Sequence, residues 1–419
     1  MIGSILFNGN VIREQDFIYQ FADRISQSNH IDPIVRDSKK VLLITAAWRD
    51  NEFNEQHVKD ALAEVGIKSQ YRGGFDANIQ NLCVYHKWLQ YYKHNPFACD
   101  VYTQAINTLL KIKRFYQERN SELVHLLQRH TIMLRKEFPN LSLERILSSG
   151  NQSISSLENT QELFANYACR EVQKTLDYLI GGDELQAQMS QNIQEFAKGK
   201  SGVFADHVYQ QTRRELVEKI LSSNSIFIFG GDISTLYHSL RFWELQDALK
   251  EALLRGTNFY TVSAGSMVLG QKIIVYDDFQ ELRGQKPRHF EFFDNGFGLV
   301  KKMTLFPHCK DRIQTDDPDN LAYLAHRFQG KVCVGLNEDS FLLLDSHTHN
   351  NQLYPRYTSV GKKDGVYVFD PSGQKICLDY GEELPVPGTF CWHQQQNRPP
   401  LSQEVYSGQT LWNEDNKNI

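Results

Sequence analysis

The sequence predicts an α/β fold interrupted by a large all-helical insertion and followed by a β-rich C-terminal part. Two strand–turn–helix units carry the α/β reading. In one, Ser225-Ile226-Phe227-Ile228-Phe229 runs into Gly230-Gly231-Asp232, and a helical pattern follows from Thr235 to Arg255. In the other, Asn258-Phe259-Tyr260-Thr261-Val262 runs into Ser263-Ala264-Gly265 and the helix-compatible Ser266-Met267-Val268-Leu269. The insertion is read from residues 95–219, where strand signals fade and apolar residues recur at helical spacing. The chain then divides into 1–94, an N-terminal part of the core; 95–219, the insertion; 220–390, the rest of the core; and 391–419, an extended tail rich in Gln, Asn and Pro.

Taken in order, Ile5-Leu6-Phe7-Asn8-Gly9 reads as a short strand and turn, and Lys40 to Ala47 as a second strand. In the insertion, Ile106, Leu109, Leu110, Ile112 and Phe115 mark one helix, continued by Leu123, Leu126 and Leu127. Ser142 is placed to cap a short helix, and residues 148–153 read as a loop. Two helices are expected over Glu158 to Leu179 and Glu184 to Ala197, separated by Gly181-Gly182-Asp183, with one more from Ser201 to Leu221. Such helices must bury their apolar faces on each other, on the core or on another chain, so the insertion is expected to be a lid or an assembly element. Near the C-terminus, Phe341 to Asp345 is a strand. Gly365 to Phe369 and Gln374 to Leu378 form a hairpin around Asp370-Pro371-Ser372-Gly373. His347 and His349 form an HxH pair, but their polar neighbours favour a loop over a metal site.

At 419 residues the chain can bury a substantial core. Its net charge of -5 gives no electrostatic case for nucleic acid or an anionic membrane. Mean hydropathy is -0.47, and no apolar run is long enough to span a bilayer. The start of the chain lacks the basic residues and apolar stretch of a signal peptide. Seven scattered cysteines without a CxxC pair favour a reducing compartment. The expectation is a cytoplasmic protein with no cofactor and no metal. Cys309, beside His308, has no helix N-terminus behind it to make it a nucleophile.

Ser263, pinned between strand and helix with Gly265 two residues on, reads as a nucleophile elbow. The bland reading is an ordinary tight turn. The elbow's usual first glycine is replaced by Thr261. A serine nucleophile needs a base and an orienting carboxylate. Asp277-Asp278 and then His308 follow in the order serine, acid, histidine. The N–H groups of Gly231 and Ala264 are candidate oxyanion donors. Arg312 is a candidate for a substrate carboxylate, or a surface arginine.

This ordered set resembles the dipeptidase E and cyanophycinase family of serine peptidases. The match runs through Gly230-Gly231-Asp232, Ser263-Ala264-Gly265, the Gly296-Phe297-Gly298-Leu299 segment before His308, and Val334-Gly335-Leu336-Asn337-Glu338. The resemblance implies a three-layer αβα sandwich with a mostly parallel sheet, related to class I glutamine amidotransferases. It implies Ser263 as nucleophile, His308 as base and Asp278, fifteen residues after the serine, as acid. Asp277 and Glu281 are rival carboxylates in the same loop. Asp232 and Glu338 fall at substrate-binding positions. The implied substrate is a peptide or isopeptide, and a homodimer is expected as the commonest closed assembly. Asp232 stands where the family has Asn, which favours an amine or guanidinium over a carboxylate. Phe306 and Ile233 replace polar residues expected in the substrate pocket, which argues against cyanophycin as substrate. The competing class is a catalytically silent family member serving as a ligand-binding or assembly scaffold. A glutamine amidotransferase-like transferase is disfavoured because that class carries cysteine at the elbow.

Overall fold

The computed structural model of the chain describes residues 2–11, 13–67, 71–72, 75–76, 78–148, 159–276, 290–328, 332–349, 352–361, 365–384 and 389–390. Its centre is a seven-stranded sheet in the order Gln352–Gly361, Ser340–His349, Ile5–Asn8, Asn258–Val262, Ser225–Ile228, Val41–Ile44, Ile79–Asn81. Five strands run parallel; the first two of that order pair antiparallel at one edge. The parallel strands are short and apolar because both their faces are covered. Leu42, Ile44, Ile226 and Ile228 enter one core, while Val41, Leu43, Phe227 and Phe229 enter the other. One face is covered by Glu14–Gln20 and Gln56–Glu64; the other by Val84–His94, His207–Leu221 and the helices after residue 232. This is the expected three-layer α/β architecture.

A second, four-stranded sheet joins Met303–Pro307, Val332–Leu336, Val366–Phe369 and Lys375–Leu378, the last two forming the expected hairpin. Lys272–Tyr276 pairs antiparallel with Phe290–Asn295 as a separate two-stranded sheet.

The insertion is built on two 42-residue helices, Pro96–Glu137 and Thr160–Ser201. Ser142 accepts from the Arg145 N–H at the start of Leu143–Ser148, as a cap should. The break expected at Gly181-Gly182-Asp183 does not occur. The helix continues through it because these residues serve packing. A Cβ at Gly182 would lie 2.2 Å from Arg119 Nη1 of the opposing long helix. Asp183 points inward to a buried arginine. The real end is Gly202, left-handed at φ 65, so the helix expected from Ser201 starts only at His207, capped by Asp206. Likewise the helix expected from Thr235 to Arg255 is two, Ile233–Phe242 and Gln246–Leu254, broken where Glu244 takes φ 51. His347 and His349 lie on a strand rather than a loop, in register with Tyr354 and Gln352. Their polar surroundings misled because the edge hairpin is ten residues long on each side. Residues 296–299 donate their N–H groups to carbonyls of residues 268–271. Most of the 148–153 loop and the tail from 391 lie outside the described residues.

The insertion is fastened to the core by buried polar contacts. The Arg327 guanidinium, fully buried, binds Asp183 of the insertion and Glu291 of the core at 3.2 Å each. Asn120 donates to Glu291, Gln186 donates to the Phe292 carbonyl, and Ser190 bonds Asp294. Burial raises the pKa of both Asp183 and Glu291, and the Arg327 charge opposes that rise. The strand Phe290–Asn295 is thus clamped along most of its length by the insertion.

Candidate active site

The elbow forms as the sequence predicts. Ser263 has φ 49 and ψ -111, a strained conformation for a non-glycine residue, between its strand and the helix Ala264–Leu269. The geometry persists because the neighbouring backbone leaves no alternative. Ser263 N–H donates to Asn8 O, and a Cβ at Gly265 would lie 2.1 Å from Ile228 O. The double-glycine turn packs directly on the serine: a Cβ at Gly230 would stand 2.9 Å from Ser263 Cβ and 2.9 Å from Val262 O. Gly231 has φ +134, which only glycine adopts readily.

Thr261, in place of the elbow's usual first glycine, is compatible with this turn. Its buried hydroxyl lies within hydrogen-bonding range of Leu6 O and 2.9 Å from Ser266 Oγ, which is itself in range of Asn8 O, so the two hydroxyl hydrogens are shared among these three contacts. The threonine thereby ties the elbow to the first strand. From sequence Thr261 reads as a departure, and neither Ser266 nor Asn8 stands out. The only signal is a hydroxyl pair five residues apart astride the serine.

His308 ends the strand Met303–Pro307 and is left-handed at φ 54. Its Nε2 lies 2.9 Å from Ser263 Oγ. Two residues forty-five positions apart therefore meet in hydrogen-bonding range. Cys309 turns away and is buried, so close beneath Gly335 that a Cβ there would lie 2.2 Å from its Sγ.

Ser263 and His308 open into a cavity of about 700 Å³. Gly230, Gly231, Ala264 and Arg312 line it, as do Asp232 and Ile233. Ala264 begins a helix, so its N–H has no intrahelical acceptor. Phe306 does not lie there: it is fully buried against Phe328 and Phe369, so its apolar character serves the core. Glu338 is exposed and accepts from Asn10, which itself lines the cavity. Asp277, Asp278 and Glu281 lie outside the described residues, between the paired strands Lys272–Tyr276 and Phe290–Asn295, both of which contribute cavity lining.

Asp232 has a structural task. Its carboxylate accepts from Thr235 N–H at 2.6 Å as the helix N-cap, and pairs with Arg49. Burial pushes its pKa up, but these hydrogen bonds and the Arg49 charge win and hold it lowered. The expected repulsion of a substrate carboxylate is correspondingly offset by Arg49.

The insertion supplies one wall. Leu110, Lys113, Arg114 and Gln117 of the Pro96–Glu137 helix line the cavity, opposite the elbow's core residues. Lys113 is mostly buried, with its ammonium 3.7 Å from Asp294 and over the Phe293 ring. Burial depresses its pKa to about 8 against the pull of Asp294. Among the described residues no group of three or more His, Cys, Asp or Glu is placed to hold a metal ion, and no helix is long and apolar enough to cross a membrane.

An α/β sheet with a cavity at its strand ends, a strained serine and a contacting imidazole is the arrangement of a hydrolase, and the sequence pattern assigns the class: the chain is a peptidase. Residues 184–351 match the model of peptidase family S51, the dipeptidase E and cyanophycinase family, over a stretch that includes the double-glycine turn, the elbow and His308. The crystal structure of a peptidase from an acI-B1 Actinobacterium is similar at 15% identity, over 92% of this chain and 97% of that one, with a TM-score of 0.44. No curated protein matches significantly.

Proposed function

We propose that the protein is a serine peptidase that cleaves a peptide or isopeptide bond. The observation that carries this is the 2.9 Å contact between Ser263 Oγ and His308 Nε2 at a strained elbow. Ser263 attacks the carbonyl carbon while His308 takes its proton. His308 then returns that proton to the leaving amine, and water repeats the cycle on the acyl-enzyme. The Gly231 and Ala264 N–H groups receive the oxyanion. Asp278 orients the imidazole, with Asp277 and Glu281 as rivals. Arg312, in the cavity wall, meets a substrate carboxylate. The Ser–His contact disfavours the silent scaffold. Labelling with a fluorophosphonate probe tests the reading: wild type should label and Ser263→Ala should not. Equal labelling of both, or labelling of neither, would remove Ser263 from the mechanism.

The proposal includes a cytoplasmic homodimer. Among the described residues no cysteine is in a disulfide, and Cys377 is exposed, which suits a reducing compartment. On the Thr160–Ser201 helix, exposed Tyr167, Tyr178, Leu185 and Phe196 recur on one face. Tyr178 and Leu185, and likewise Tyr167 and Phe196, stand equally far in sequence on either side of Gly181-Gly182. A two-fold axis there would set each against its counterpart on a second, antiparallel copy. Light scattering that gives a monomer at all concentrations would end this part of the proposal.

A further inference from the structure

A second cavity, of about 170 Å³, lies between the Pro96–Glu137 helix and the helix Ile233–Phe242. It adjoins the catalytic cavity, because Ser234 lines both. The same long helix passes over the two in turn. Ala105, Ile106 and Leu109 face the second cavity, and Leu110, Lys113 and Arg114 face the first. The centres of the two sets lie about six residues apart along the helix, which is roughly 9 Å at the helical rise. An extended peptide covers that distance in about three residues.

The lining is mostly aromatic and aliphatic. Tyr85, Trp88 and Tyr102 form an aromatic wall with Leu109 and Phe242. Two cations also line it, and both have partners: Lys198 pairs with Glu244, and Arg241 donates to Gln194. His238 is held neutral near neutral pH, since burial, then the charges of Lys113 and Arg241, push its pKa down to about 3. The volume is close to that of an apolar cavity, about 150 Å³, that takes up a single benzene ring.

We infer that this cavity is a specificity subsite that receives an aromatic side chain of the substrate, two or three residues from the scissile bond. The inference rests on the serine-peptidase reading for its scissile bond, but the subsite itself is defined by the cavity. It makes the preferred substrate an oligopeptide with an aromatic residue, and it assigns selection to the insertion.

The test uses the full-length Ser263→Ala protein, so that binding is measured without turnover. Tetra-alanine and the four tetrapeptides carrying one Phe are titrated calorimetrically. One Phe position should bind roughly tenfold tighter or more, as burial of an aromatic ring requires. Adding Ala105→Phe should fill the cavity and reduce that preference to within about twofold, leaving tetra-alanine binding unchanged. If that variant melts early, Ile106→Trp fills the same space. Equal affinity for all five peptides, including failure of all to bind, overturns the subsite. So does a preference that survives filling. Failure of the wild type to label with fluorophosphonate would instead sink the nucleophile and leave the Phe preference standing.

Discussion

The α/β core and the helical insertion use glycine and charge in opposite ways. In the core, glycines at the site are fixed by backbone: a Cβ at Gly265 would strike a carbonyl oxygen at 2.1 Å, and one at Gly230 would strike another at 2.9 Å. In the insertion, Gly181 has no atom within 4 Å of such a Cβ, and at Gly182 the obstacle is the tip of a flexible arginine. Charge reverses the pattern. The central sheet is held by apolar layers, whereas the insertion is fastened by buried Asp183, Arg327, Glu291 and Asn120. The core therefore tolerates little change in shape, and the insertion's attachment tolerates little change in charge. The cavity at Ser263 and His308 lies where the two meet.

The largest effect should come from the core site. Ser263→Ala and His308→Ala should each lower kcat by about three orders of magnitude or more, and the double variant should lose little beyond that, since the two act as a unit. Steady-state kinetics with an aromatic tetrapeptide amide checks this; a His308→Ala enzyme near normal turnover would remove the histidine from the mechanism.

Next is the attachment. Arg327→Met leaves two carboxylates buried without their cation, a loss on the order of 3–5 kcal/mol. Urea unfolding should show that loss, and the triple change Arg327→Met, Asp183→Leu, Glu291→Leu should recover most of it. If Arg327→Met alone were neutral, the network would not be what holds the insertion.

A pH effect of similar size belongs to the core. Glu52 is buried where it accepts the Tyr85 and His86 N–H groups, and burial raises its pKa to about 7 from 4.5 despite them. The unfolded chain releases this proton first. The contribution is therefore fully present below about pH 4.5 and is lost as pH rises through about 7. Between about pH 4.5 and 8, wild type should lose roughly 3 kcal/mol relative to Glu52→Gln, since each tenfold difference in proton affinity between the folded and unfolded chain is worth about 1.36 kcal/mol. Parallel stability curves for the two proteins would contradict the raised pKa.

The smallest effect sharpens the contrast in glycines. Gly181→Ala should stabilise the protein by about 0.5–1 kcal/mol through helix propensity alone. Gly265→Ala should leave little folded protein. If Gly181→Ala were instead destabilising, helix propensity would not be what decides at this position.

Local pattern is enough to read the short apolar strands, the two strand–turn–helix units and the elbow. Each has a meaning that lies within a few residues: an apolar run buried on both faces, a glycine where the chain must turn sharply. The sharp turn at Ser263 is legible for the same reason, whereas His308 is singled out only by its order after the serine and by the family resemblance. Other features take their meaning from residues distant in the chain. Gly181-Gly182-Asp183 reads as a break until Arg119 and Arg327 are seen beside it, because the packing of a long helix against its neighbours overrides propensity. Phe306 reads as a pocket residue until Phe328 and Phe369 close over it. That Asp232 also caps a helix through the Thr235 N–H and pairs with Arg49 shows only in the fold. That the insertion walls the cavity at Ser263 also comes only from the fold. Its attachment runs through side chains more than thirty positions apart, such as Arg327 with Glu291 and with Asp183, and no local spacing encodes such a meeting.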